Sequence, residues 1–163
     1  MGSTLGLYLH IPFCRSKCDY CDFYSLAGQD DRMDDYQRAL LRHIAETGPR
    51  TRKQVVNSVY IGGGTPTIMI DELCETIDLA RDLFSIKEVS SETNPNHLTR
   101  PYLEKLKGRV QRLSVGVQSF DDDVLRILGR AHDAEAARAA VRAAQTRFQN
   151  VSVDLMRGIP GQS

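Results

Sequence analysis

The sequence carries no net charge: twenty-one basic residues are matched by twenty-one acidic ones. Such a balance gives no general pull toward nucleic acid or an anionic membrane, so neither is expected as a partner. No apolar run approaches the roughly 20 residues that a membrane-spanning helix needs. The N-terminus, Met1-Gly2-Ser3-Thr4-Leu5-Gly6, lacks the basic segment ahead of an apolar one that marks a secretory signal. Gly6 also stands where a myristoylation signal wants Ser or Thr. Internal repeats and low-complexity stretches are absent. What remains is 163 residues, 41% hydrophobic and 26% charged, the balance of one soluble globular domain over residues 1–163. Cysteine is scarce, and three of the four cysteines crowd into one loop. That usage suits a reducing compartment and a metal site, and the expected location is the cytoplasm.

The crowded stretch is Ile11-Pro12-Phe13-Cys14-Arg15-Ser16-Lys17-Cys18-Asp19-Tyr20-Cys21-Asp22-Phe23-Tyr24. Cys14, Cys18 and Cys21 fall at spacing C-x3-C-x2-C, directly after a strand-like run from Leu5 to Ile11. Three thiolates from one short loop can converge on one metal centre. A structural zinc would want a fourth protein ligand, from His10 or from a distant residue. A disulfide pair would leave a spare thiol, and an odd trio suits a disulfide framework poorly. An iron–sulfur cluster on three cysteines would keep one iron open to a substrate or cofactor.

Along the chain, strands alternate with helices. Leu7, Leu9 and Ile11 alternate with Tyr8 and His10, which share a face of the first strand. After a turn at Gly28-Gln29-Asp30-Asp31, Met33, Tyr36, Leu40, Leu41 and Ile44 form a helical stripe that should end near Gly48-Pro49. Arg50 to Lys53 reads as a solvated basic loop. Val55 to Ile61 is a second strand running into Gly62-Gly63-Gly64-Thr65-Pro66-Thr67. A helix from Asp71 buries Leu73, Cys74, Ile77, Ala80 and Phe84, which makes the fourth cysteine a core residue. Ile86 to Glu92 is a third strand, and Thr99 should cap a short helix stopped by Gly108. Val110 to Gln118 is a fourth strand, Asp121 to Leu128 a helix, and Asp133 caps another to about Arg147. Val151 to Met156 is a fifth strand.

This order predicts an α/β fold: a partial (β/α) barrel of about five parallel strands, with helices as crossovers. The chemistry-bearing residues gather where strands end, as on the C-terminal rim of a barrel. The last strand has no following helix, so the chain reads as part of a longer architecture. The glycine run could be a tight turn or a phosphate loop, but a Walker loop ends in Gly-Lys-Ser/Thr, whereas Thr65-Pro66-Thr67 follows here. Taken singly, Glu92 and Asp154 could be solvated strand ends and Arg130 a salt-bridge partner.

Together with the cysteine loop, four further segments carry a resemblance: Gly62 to Thr67, Glu92-Thr93-Asn94-Pro95, Ser114 to Phe120, and Asp154 to Gln162. From Tyr8 to its last residue the sequence resembles the radical S-adenosylmethionine superfamily. Within it the likeness is to the branch of HemN-type oxygen-independent coproporphyrinogen III oxidases and HemW-type heme chaperones. The resemblance implies a [4Fe-4S] cluster on Cys14, Cys18 and Cys21. It implies S-adenosylmethionine against Tyr8 and Tyr20, its amino-acid end at Gly63, Gly64 and Thr65, and a carboxylate contact from Glu92. Gln118, Arg130 and Asp154 match positions that in the oxidase contact a second S-adenosylmethionine. A one-electron reductant would feed the cluster, and homolysis of the sulfonium would yield methionine and a 5′-deoxyadenosyl radical. Phe23 stands where the oxidase loop usually has a further cysteine, and only seven residues precede Tyr8, where the oxidase has an N-terminal extension. Both departures favour the heme chaperone, with heme as a ligand, over the oxidase. A radical methyltransferase, or a non-catalytic zinc or iron–sulfur module, is the alternative.

Overall fold

The computed structural model describes residues 4–51 and 54–162. In chain order the elements are β1 (Thr4–Ile11), β2 (Phe13–Cys14), β3 (Leu26–Ala27), α1 (Met33–Arg50), β4 (Val55–Gly63) and α2 (Ile70–Leu83). Then follow β5 (Glu88–Thr93), α3 (Arg100–Leu106), β6 (Arg112–Gln118), α4 (Asp122–Ile127), α5 (Ala134–Gln145) and β7 (Asn150–Leu155). The main sheet has five strands in the order β1-β4-β5-β6-β7, and every pair is parallel. The expected partial barrel is therefore what the chain forms.

Alternation along each strand gives the sheet two different faces. Leu9, Ile11, Val59, Ile61, Val89, Leu113, Val115 and Val117 point to the side covered by helices. There they pack with Ile44 of α1, Leu73 and Ile77 of α2, Leu103 of α3, and Ala137 and Ala144 of α5 in one core. The alternate positions, in register across the strands, are polar or small: Tyr8 opposite Tyr60, His10 opposite Gly62, Glu92 opposite Ser114. Cys74 lies in the core, with its thiol 3.7 Å from the Lys105 carbonyl, as its helical spacing predicts.

Four local features differ from the sequence expectation. Helix α1 runs through Gly48-Pro49, because Thr51 closes it one turn later: its N–H and its hydroxyl both donate to the carbonyls of Thr47 and Gly48. Gln37 is buried among the apolar stripe, its amide donating to the Glu72 carbonyl and to Thr76. Thr99 occupies the N-cap position of α3, yet its side chain makes no capping bond. The two-residue pairing of β2 with β3 gave no periodic signal, and it closes the cysteine loop at its base. In the basic stretch Arg50 to Lys53, Arg52 and Lys53 lie outside the described residues.

Candidate functional site

A cavity of about 640 Å³ opens where the strands end. Cys14, Cys18 and Cys21 line it, together with Tyr20 of the same loop. Gly63, Gly64 and Thr65 after β4, Glu92 in β5, Gln118 in β6, Arg130 before α5 and Asp154 in β7 complete the predicted set around it. Of the predicted cofactor and cluster residues, Tyr8 alone falls outside. It is 58% exposed and lines a smaller hollow of the same sheet face with Ser58 and Tyr60. Its hydroxyl meets His10 Nδ1 at 2.9 Å, while His10 Nε2 meets the Tyr24 carbonyl at 2.9 Å. Both nitrogens of His10 are thus engaged, and the ring packs beneath Gly63 as a structural group.

The cysteine loop is held from several sides. The Cys21 N–H donates to the Cys18 carbonyl at 3.0 Å, and Lys17 Nζ donates to the Phe23 carbonyl and the Ser25 hydroxyl at 2.7 and 3.0 Å. Arg130 ties the loop to the sheet: one Nη lies 3.1 Å from Cys18 Sγ and 3.4 Å from the Tyr20 hydroxyl, the other 2.5 Å from the Gly116 carbonyl. A guanidinium donor beside a sulfur suits a thiolate. Burial pushes the Tyr20 hydroxyl pKa up, against the opposing pull of Arg130. Among the described residues no three His, Cys, Asp or Glu side chains gather closely enough for a single ion. Tetrahedral zinc with bonds near ~2.3 Å would draw its sulfurs to about 4 Å of one another.

The glycine run is built to press against that loop. A Cβ at Gly64 would sit 2.5 Å from the Phe13 carbonyl oxygen and 2.9 Å from Cys14 Sγ. At Gly63, with φ +116°, it would strike the His10 ring and the Ile11 carbonyl at 2.8 Å. Only glycine permits this approach. Three amides of the run are engaged: Gly63 N–H with Glu92 Oε2 at 3.2 Å, Gly64 N–H with the Ile11 carbonyl at 2.7 Å, Thr65 N–H with the Phe13 carbonyl at 2.8 Å. None of these three is left to cradle a phosphate, which counts against the phosphate-loop alternative.

Glu92 is fixed by two donors, the Gly63 N–H and the Tyr60 hydroxyl at 2.6 Å. Burial, then the Glu92 carboxylate, pushes the Tyr60 hydroxyl up to about 12. At the other end Asp154 accepts from Ser114 at 3.1 Å, in a row that continues through Ser152 to Arg112. Among the described residues Gln118 is the non-glycine residue with left-handed backbone, φ 73°, beside a register shift in the β6–β7 pairing. Such a conformation costs on the order of 1 to 3 kcal/mol and clusters at ligand sites, where a bulge re-aims a side chain. The cavity therefore combines cations (Arg15, Lys17, Arg130) with carboxylates (Glu92, Asp154), a lining that suits a zwitterion. Sequence reading missed Tyr60, Thr67 and His97. Tyr60 shares the parity of the glycine run two positions on, and that was the one available signal.

Residues 8–163 match the family model of the radical SAM superfamily. The heme chaperone HemW of Bacillus subtilis is 38% identical over 163 residues, covering 96% of this chain and 43% of that protein. HemW of Escherichia coli is 35% identical, covering 98% and 44%. The solved structure of the coproporphyrinogen III oxidase HemN from Escherichia coli, described as a radical SAM enzyme, superposes with a TM-score of 0.88. It is 30% identical and covers 99% of this chain and 39% of that one. The chain thus spans less than half the length of the relatives it matches, and this family implies a [4Fe-4S] cluster and S-adenosylmethionine. With three loop cysteines, a glycine run pressed against them and a family match over nearly all its residues, the chain belongs to the radical SAM superfamily.

Proposed function

We propose that residues 1–163 form the core domain of a HemW-like radical SAM protein that binds heme for delivery, in the cytoplasm. Cys14, Cys18 and Cys21 hold the [4Fe-4S] cluster. S-adenosylmethionine would be held beside it by Gly63, Gly64, Thr65 and Glu92, with Arg130 at a position matching a second S-adenosylmethionine. Tyr8, Tyr20, Thr65, Gln118 and Asp154 bound the rest of the cofactor's surroundings. When bound, the pair supplies one-electron reductive chemistry driven by an external reductant. The protein's own share is to orient the ligand through Glu92, itself oriented by Tyr60, and to keep Cys18 within reach of Arg130. One observation carries the reading: three thiols share a single cavity with a glycine run so tightly packed that a methyl group on Gly64 would meet Cys14.

The likeness to the HemN structure favours a second reading, an oxygen-independent coproporphyrinogen III oxidase. Against it, Phe23 stands at the position of the oxidase's further cysteine, 68% exposed. The protein at the full length of its relatives, reconstituted anaerobically and reduced with dithionite, decides between them. Incubated with S-adenosylmethionine and either hemin or coproporphyrinogen III, it should capture heme and form no protoporphyrinogen. Protoporphyrinogen formation would establish the oxidase, and failure to bind S-adenosylmethionine would defeat both readings.

A further inference from the structure

One flank of the cavity, formed by the chain just after β5, serves none of the roles above. Asn94, His97 and Tyr102 line it, with Arg15 at its edge. His97 Nδ1 lies 3.1 Å from the Thr67 hydroxyl, which lies 2.9 Å from the Thr93 hydroxyl. Thr67 is fully buried and Thr93 nearly so. Each hydroxyl has one hydrogen to give. Where Thr93 gives its own to the Asn94 carbonyl, at 3.5 Å, Thr67 donates to Thr93 and accepts from His97. In that arrangement the ring proton sits on Nδ1, a tautomer inferred from the network.

Nε2 is then left with a bare lone pair, and it makes no hydrogen bond among the described residues. Burial and then the Arg15 charge hold the His97 pKa below its ordinary value, so the ring is neutral at neutral pH. The Tyr102 ring lies edge-on to it at 6.3 Å. A neutral imidazole with one nitrogen anchored by a buried acceptor and the other facing a cavity is the form in which histidine ligates metals. Arg15 makes no ion pair among the described residues, and a guanidinium suits a carboxylate in two-point contact.

We propose that His97 Nε2 is an axial ligand to the iron of a porphyrin bound at this flank, oriented by the Thr67–Thr93 pair, with Arg15 receiving a porphyrin carboxylate. The proposal rests on the heme reading above. The bond is a donated lone pair, so no proton or electron is exchanged when it forms.

The test is a hemin titration of the protein at the full length of its relatives, with absorption and pulsed EPR on 15N-histidine-labelled protein. The wild type should show a nitrogen-ligated iron. His97→Gly should lose that signature and bind at least about tenfold more weakly, and added imidazole should restore the spectrum. Thr67→Val should keep the nitrogen ligand but weaken binding by about tenfold or more. A His97→Gly variant with the wild-type spectrum and affinity overturns the proposal while leaving heme binding intact. A loss that imidazole does not reverse also overturns it, because the defect then lies in the fold. A wild type that binds no hemin overturns the heme reading and this proposal together.

Discussion

The two faces of one sheet carry opposite chemistries. On β6, Leu113, Val115 and Val117 are fully buried against the helices, while Arg112, Ser114 and Gly116 between them face the concave side. On β4 the same split sets Val59 and Ile61 against Tyr60 and Gly62. In a closed (β/α) barrel the inner side is filled by bulky branched residues. Here the inner side is hydroxyls, carboxylates and glycine. The helix-covered face supplies cohesion, and the concave face is left free for ligands. A substitution on one face should therefore damage stability, and one on the other should damage binding.

The largest effect on stability is expected on the helix-covered face. Leu113→Ala empties a fully buried site, and such changes cost about 2 to 5 kcal/mol. Urea unfolding should register that loss, and a change under ~1 kcal/mol would mean that this face is not the source of cohesion. Next comes Gly64→Ala at the rim. Its added methyl cannot be placed without moving the Phe13 carbonyl or Cys14. Iron content after reconstitution should fall to background, while the unfolding midpoint moves less than for Leu113→Ala. A fully loaded Gly64→Ala protein would show that the close approach is not required.

Tyr60→Phe is the mildest change, because it removes one hydroxyl from Glu92. A hydrogen bond to a charged group is worth about 1.5 to 3 kcal/mol. S-adenosylmethionine affinity, measured by calorimetry, should drop roughly one to two decades. The same variant has a pH signature. The Tyr60 hydroxyl is raised from 10.0 to about 12 in the folded chain. Its contribution to stability is complete below the unfolded value and is lost as pH rises from 10.0 toward about 12. Melting temperature should thus fall more steeply above pH 10 in the wild type than in Tyr60→Phe, and equal slopes would contradict the raised Tyr60 hydroxyl, held up by burial and then by Glu92.

What could be read in the sequence follows the same division. Strands and helices were legible because their apolar periods are local, and the three cysteines because they share one loop. The contacts that shape the cavity were not, because they join residues far apart in the chain. Tyr60 meets Glu92 across 32 positions, Thr67 meets His97 across 30, and Arg130 meets Cys18 across 112. No period or spacing signals such pairs. The left-handed Gln118 was hidden for another reason: glutamine has no marked preference for that conformation, so its tertiary setting imposes it. Pro49 misled in the opposite way, since Thr51 satisfies the carbonyls that a helix ending there would have left open. The glycine run was recognised as a site, but not that the Gly63, Gly64 and Thr65 amides go to Glu92, Ile11 and Phe13.

The central claim is that the concave rim holds the chemistry and the helix-covered face holds the fold, and the four cysteines divide along that line. Cys14, Cys18 and Cys21 line the cavity, whereas Cys74 lies in the core. Iron and acid-labile sulfide should be assayed on anaerobically reconstituted Cys14→Ala, Cys18→Ala, Cys21→Ala and Cys74→Ala proteins. Each of the first three should lose the cluster, and Cys74→Ala should keep it while unfolding more easily by on the order of 1 kcal/mol. A Cys74→Ala protein without iron beside a Cys21→Ala protein that retains it would contradict the account.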